Sequence, residues 1–295
     1  MKKIVGLFCL VSIFFNASFA QQYTHADTLR GSNGPGRDWW DATKYDLHVK
    51  FNLDDSTISG YNVISFKALK SDSIMQIDLQ EPMVIDSIQY LFKMTDRKVE
   101  IFSPHNIKKD GNAYFINLRN SANNNATHFL TVYYHGKPRI AKRPPWDGGI
   151  TWTRDKQGNP WITITCQGLG ASVWYPCKDY QGDEPDSAEM HIIAPSDLIA
   201  VSNGRMRNKI DNGNGTTITT WAVVNPINNY DFIPYIGKYV HFGEIYNGLK
   251  GPLTMDYWVL DSDLVKAKKQ FKEAPRMMKA FEYWFGPYPF YEDGY

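Results

Sequence analysis

The sequence predicts a mainly β protein: a saddle-like antiparallel β-sandwich or sheet domain over 42–250, followed by the start of an α-helical region over 251–295. Three observations predict it. From Tyr45 onward apolar residues alternate with polar ones, the period of half-buried strands. Short runs of this kind recur between Asn, Asp, Gly and Pro, with no helical periodicity among them, which argues for antiparallel pairing. Spacings of three and four first dominate beyond Asp261, where a helix is expected.

The elements follow in order. Residues 1–20 read as a secretory signal peptide: Lys2 and Lys3, an apolar run from Ile4 to Phe15, and the small-x-small step Ser18-Phe19-Ala20 match its three regions. That run is short for a bilayer span. Residues 21–41 form a polar, glycine-rich leader carrying Trp39 and Trp40. Tyr45, Leu47, Val49, Phe51 and Leu53 then alternate with Asp46, His48, Lys50 and Asn52 as a first strand. A turn at Asp54-Asp55-Ser56 leads to a second strand over 61–69, and further strands are expected at 75–79, 84–91, 114–118 and 129–134. Residues 136–160, rich in Pro and Gly, read as a loop with Trp146 and Trp152 to bury. It serves either as a lid beside a substrate or as a long hairpin pinned by its tryptophans.

Strands are expected again at 188–194 and 199–202, before a turn at Asn203-Gly204. A hairpin tip at 211–215 leads to 216–224, and 230–239 closes the β domain. Asp261 or Ser262 then caps a helix with apolar positions Leu264, Ala267, Phe271, Ala274, Met278, Phe281 and Phe285. Pro275 either kinks this helix or opens a second one, and Gly286-Pro287 ends it. The aromatic tail over 288–295 reads as a chain cut in mid-domain.

Composition narrows the function. Hydrophobic content of 43% and charged content of 21% describe an ordinary globular protein. Net charge is +1, and loss of Lys2 and Lys3 with the signal makes it −1, a balance that favours neither nucleic acid nor an anionic membrane. With the signal removed no membrane span is expected, and the chain is assigned to an exported compartment. Cys166 and Cys177, eleven positions apart, form either a short disulfide or two buried thiols.

Sites of chemistry are few. The seven histidines, His25, His48, His105, His128, His135, His191 and His241, include no pair three or four apart, and none precedes Glu. Each is therefore read as a surface or satisfied core residue rather than a metal ligand. No Gly-x-Ser-x-Gly elbow or P-loop is present. Asp183, Glu184 and Asp186 cluster in what reads as a solvated loop, with too few donors for a calcium cage. Gln167 is the candidate binding residue. It follows an apolar run and precedes Gly168-Leu169-Gly170, and its amide both donates and accepts without net charge. The other reading of Gln167 is a side chain that pins its own turn.

Five motifs in order carry a resemblance: Cys166-Gln167; Trp174-Tyr175-Pro176-Cys177-Lys178-Asp179; Ser202-Asn203-Gly204; the stretch Tyr230 to Gly237; and Tyr283-Trp284-Phe285-Gly286-Pro287-Tyr288-Pro289-Phe290. Over about 45–295 the chain resembles the M1 zinc metallopeptidases, aminopeptidase N-like. The resemblance implies a saddle-shaped β domain and the truncated start of a thermolysin-like catalytic domain. By position, Gln167 would contact the substrate near its free amino end. The resemblance also implies zinc in the full-length parent and a peptide substrate. This chain shows neither the Gly-x-Met-Glu-Asn-like segment nor the His-Glu-x-x-His helix of the family. It is therefore expected to hold no catalytic residue and no metal ligand, and to be inactive alone. Thr165 stands where some relatives carry a second glutamine. The alternative is a non-catalytic β-sandwich module that binds carbohydrate or peptide through Trp146, Trp152 and Trp161.

Overall fold

Apolar–polar alternation becomes strand faces through most of the chain. A computed structural model describes residues 23–93, 98–118 and 126–295; the expected signal peptide lies outside the described residues. The leader holds one short helix, α1 (His25–Leu29), started by a capping box between Thr24 and Asp27. Strands β1 (Trp40–Asn52), β2 (Thr57–Ala68), β3 (Ile74–Asp78), β4 (Val84–Lys93), β5 (Lys98–Phe102), β6 (Lys108–Asp110), β7 (Ala113–Asn117) and β8 (Thr127–Gly136) follow. Next come β9 (Gly149–Arg154), β10 (Pro160–Thr165), β11 (Ser187–Pro195), β12 (Ile199–Val201), β13 (Arg205–Asp211), β14 (Thr216–Val223) and β15 (Tyr235–Gly237). The hairpin β16 (Tyr239–Gly248) and β17 (Gly251–Leu260) leads to helices α2 (Leu264–Gln270) and α3 (Ala274–Phe285).

Eight strands form the main sheet in the order β13-β14-β11-β1-β2-β8-β4-β5. Its pairings are antiparallel except for one: β1 runs parallel to β11, with Leu47 beside Met190 and His48 beside His191. A four-stranded sheet (β12-β15-β10-β9) and a three-stranded one (β3-β7-β6) complete the body. The main sheet turns Tyr45, Leu47, Val49, Ile64, Leu130, Val132, Met190 and Ile192 into a continuous core shared with Ile162 and Ile164 of β10 and Ile77 of β3. Each such side chain contributes about 1.5–3 kcal/mol when taken from water. The opposite face carries Asp46, His48, Tyr61, Glu189 and His191, all half-buried.

Several expectations change. Strands β5 and β6 and the hairpin β16–β17 are additional. The 136–160 stretch contains β9, paired with β10. Trp152 packs against the core, but Trp146 is 82% exposed and pins nothing. Residues 230–239 are a 3-10 turn and the short β15 rather than one long strand. Pro275 stands in the first turn of α3, where its missing N–H costs no helical bond. Both Cys166 and Cys177 are free and buried. Among the described residues no helix is long and apolar enough to cross a membrane.

Candidate functional site

The segment after β10 is built around Gln167. The strand ends at Thr165, and the amides of Leu169 and Gly170 both donate to Cys166 O at 3.0 Å, closing a tight turn. Gln167 therefore leads the turn rather than riding on the strand, and its side chain is exposed. Gly170 has φ +84°, and a Cβ there would lie 2.3 Å from the Asp179 carboxylate; only glycine fits. The turn is held from below. Gln80 Nε2 donates to Leu169 O at 2.6 Å and to Ser172 Oγ at 3.0 Å, and Ser172 Oγ donates to Asp179 Oδ2 at 2.5 Å.

The WYPCKD segment, 174–179, fastens this turn to the core. Trp174, Tyr175 and Cys177 are fully buried. Tyr175 donates its hydroxyl proton to Asn229 O at 2.9 Å, and Cys177 exchanges backbone hydrogen bonds with Asp78. Asp78 in turn meets Arg37 at 2.6 Å, with side-chain exposures of 6% and 0%. Lys178 pairs with Asp183 and lies over the Trp40 ring. Of the acidic cluster, Asp183 departs from the solvated loop expected from sequence. It is buried and ion-paired with Lys178, which leaves neither internal charge without a partner, while Glu184 and Asp186 are exposed.

Gln167 opens onto a cleft of about 700 Å³, also lined by Arg30, Pro145, Asp179, Gln181, Tyr230 and Asp231. Burial raises the Asp179 carboxyl pKa, against the hydrogen bonds from Ser172. Burial and the charge of Glu184 raise that of Asp231. Burial, then the charges of Asp179 and Asp231, push the Cys166 thiol up. No histidine lines the cleft, and Asp179 is committed to Ser172. This donor set does not fit a hydrolytic zinc. What the cleft offers is a neutral amide at its mouth, carboxyls at its wall and a guanidinium from the leader, suited to holding a polar ligand.

The three tryptophans of the binding-module alternative are not jointly free. Trp161 donates its indole N–H to Tyr239 OH at 2.9 Å, and Trp152 packs on the core near Phe51. The sequence reading missed Arg30, Tyr230 and Asp231 as cleft residues, and no local motif marks them. It also missed that His48 and His191 meet. Asp-x-His in β1 and Glu-x-His in β11 are a legible pattern, but only the strand pairing brings them together.

Residues 41–230 match the Peptidase M1 N-terminal domain family. Among solved structures, the M1 zinc metallopeptidase from Deinococcus radiodurans superposes with a TM-score of 0.71 at 18% identity, over 87% of this chain and 55% of that one. A mutant of it bound to a Tyr-Ser-Ala substrate gives 0.70 at 18% identity, over 87% and 56%. A two-domain M1 zinc metallopeptidase mutant bound to L-tryptophan gives the same four values as that peptide complex. At this identity the likeness speaks for the fold. The chain spans just over half the length of these solved relatives. No curated protein sequence matches it.

Proposed function

The chain belongs to the Peptidase M1 N-terminal domain family, and from that premise we propose that it forms the substrate-side β wall of an exported M1-type zinc metallopeptidase with aminopeptidase-like activity. In this reading the full-length parent carries the zinc on residues other than those of the Gln167 cleft, and the chain alone is inactive. Its ligand is a peptide, not nucleic acid. The observation that carries the reading is the placement of Gln167: exposed at the mouth of a cleft, on a turn whose geometry requires Gly170. Its amide can accept from a peptide's terminal ammonium or donate to a backbone carbonyl.

The test uses the full-length parent. Gln167→Ala removes about one net hydrogen bond, so kcat/KM for aminoacyl substrates should fall roughly three- to ten-fold, with zinc content and thermal unfolding unchanged. Unaltered kinetics would assign Gln167 to the turn alone. The 295-residue chain should release no product from the same substrates, and turnover above buffer would overturn the division of labour.

A further inference from the structure

On the outer face of the main sheet, two short patterns meet in register. Asp46 and His48 share that face of β1, Glu189 and His191 that of β11, and the parallel pairing sets Asp46 beside Glu189 and His48 beside His191. Both imidazoles reach one oxygen. His48 Nε2 lies 3.0 Å and His191 Nε2 3.2 Å from Asp46 Oδ1. Glu189 Oε1 borders the group, 3.4 Å from His191 Nε2. Among the described residues, Asp46, His48 and His191 are the only such trio of potential metal donors within 4.8 Å of one another.

Two details say what the group is for. Asp46 Oδ1 is buried, and neither imidazole meets it in the line of a ring N–H, so it lacks an aligned hydrogen bond. His191 Nδ1 lies 3.0 Å from Thr220 Oγ1 on β14. The tautomer that donates to Thr220 leaves a lone pair on Nε2, facing the Asp46 oxygen. Two acceptors at that distance repel unless a proton or a cation lies between them. An outer oxygen that fixes an imidazole through its other nitrogen is the usual support of a metal-binding histidine.

We propose that Asp46, His48 and His191 bind one borderline divalent metal ion of the zinc class, which staples β1 to β11. Two imidazoles and a carboxylate suit such an ion over calcium or magnesium. Bonds of about 2.0–2.2 Å would place tetrahedral donors about 3.3–3.6 Å apart, close to the separations already present. His48 and His191 now stack at 4.0 Å, with Tyr61 stacked on the far side of His48. To share an ion the two rings tilt apart about χ2, a soft torsion. The fourth position is left to solvent or to Glu189, whose other oxygen is held by Lys44 at 3.0 Å.

Calorimetric titration of Zn²⁺ into the tag-free full chain tests this, with thermal unfolding as a second readout. One ion per chain should bind and raise Tm, and Ca²⁺ should do neither. The His48→Ala/His191→Ala double variant should lose both effects. Thr220→Val, which removes no ligand, should weaken Zn²⁺ binding roughly 10–100-fold and so separates a built site from a surface histidine that merely attracts the ion. Absence of binding in the wild type, equal binding in the double variant, or equal binding of Ca²⁺ would each overturn the proposal.

Discussion

In the N-terminal body a guanidinium meets a carboxylate with almost no solvent around either, Arg37 against Asp78. In the hairpin–helix unit the Glu282 carboxylate is buried with no ion-pair partner among the described residues. It accepts instead from Tyr246 OH at 2.8 Å, Leu249 N at 3.1 Å, Tyr291 OH at 3.2 Å and Tyr288 N at 3.3 Å. The apolar surroundings differ as sharply. The body closes a large core on itself, whereas the unit has a small one of Leu253, Met255, Tyr257 and Met278. Tyr283, Trp284 and Phe285 of α3 stay more than 70% exposed. The contrast teaches that a buried charge is tolerated by two routes, a counter-charge or a set of neutral donors. Asp179, held by Ser172 in the body, shows that the second is not confined to the small core.

The strongest way to break this comparison is Arg37→Leu. It leaves Asp78 buried with only neutral donors, Gln76 Nε2 and the Asp179 amide, and burial already pushes that carboxyl up against the pull of Arg37. Loss of one partner of such a pair costs about 3–5 kcal/mol. Urea unfolding should show it; a loss below about 1 kcal/mol, the scale of an exposed pair, would mean the pair is not dry. Next comes Met278→Ala in the small core, expected to cost about 2–5 kcal/mol. If the unit opens separately from the body, hydrogen exchange should rise in β16, β17 and α3 and leave β1 and β11 unchanged. Uniform acceleration would make the two regions one cooperative block.

Glu282 gives the pH signature. Burial pushes its pKa up, but the hydrogen bonds from Tyr246, Leu249, Tyr288 and Tyr291 outweigh it and hold the carboxyl below its ordinary value. Because the folded pKa is depressed, its stabilisation is complete above the unfolded value of about 4.3. It is lost as pH falls through the folded one. Thermal unfolding of Glu282→Gln should therefore depend less steeply on acid than that of the wild type; parallel curves would deny Glu282 its role as hub. The smallest effect is expected at Trp284→Glu. Stability should move by no more than about 0.5 kcal/mol, while binding of an apolar dye falls. A large destabilisation would show that this face is covered.

How far the sequence foretold this molecule varied with the element. The alternation from Tyr45 to Phe51 placed β1 because one face is buried and the other wet. Strands β5 and β6 escaped because they are short and carry lysines, so little periodicity survives. The alternation Leu253, Met255, Tyr257 in β17 was present but lay next to an expected helix. At the site, Gln167 stood out through its glycines. Arg30 and Asp231 reach the cleft only through long-range folding, and no local pattern announces that. The pairing of His48 with His191 needed the parallel register, which composition does not reveal.

That register carries a further consequence, for how the polypeptide assembles. Lys44 and Ser187, adjacent across it, are 143 positions apart. The first hairpin, β1 with β2, can form as soon as it leaves the ribosome, but its other flank must wait for β11. Contacts of such high order slow the folding search, and until they form β1 presents an open edge to any strand it meets. The nascent chain is thus most vulnerable to aggregation in the interval between synthesis of its second strand and its eleventh.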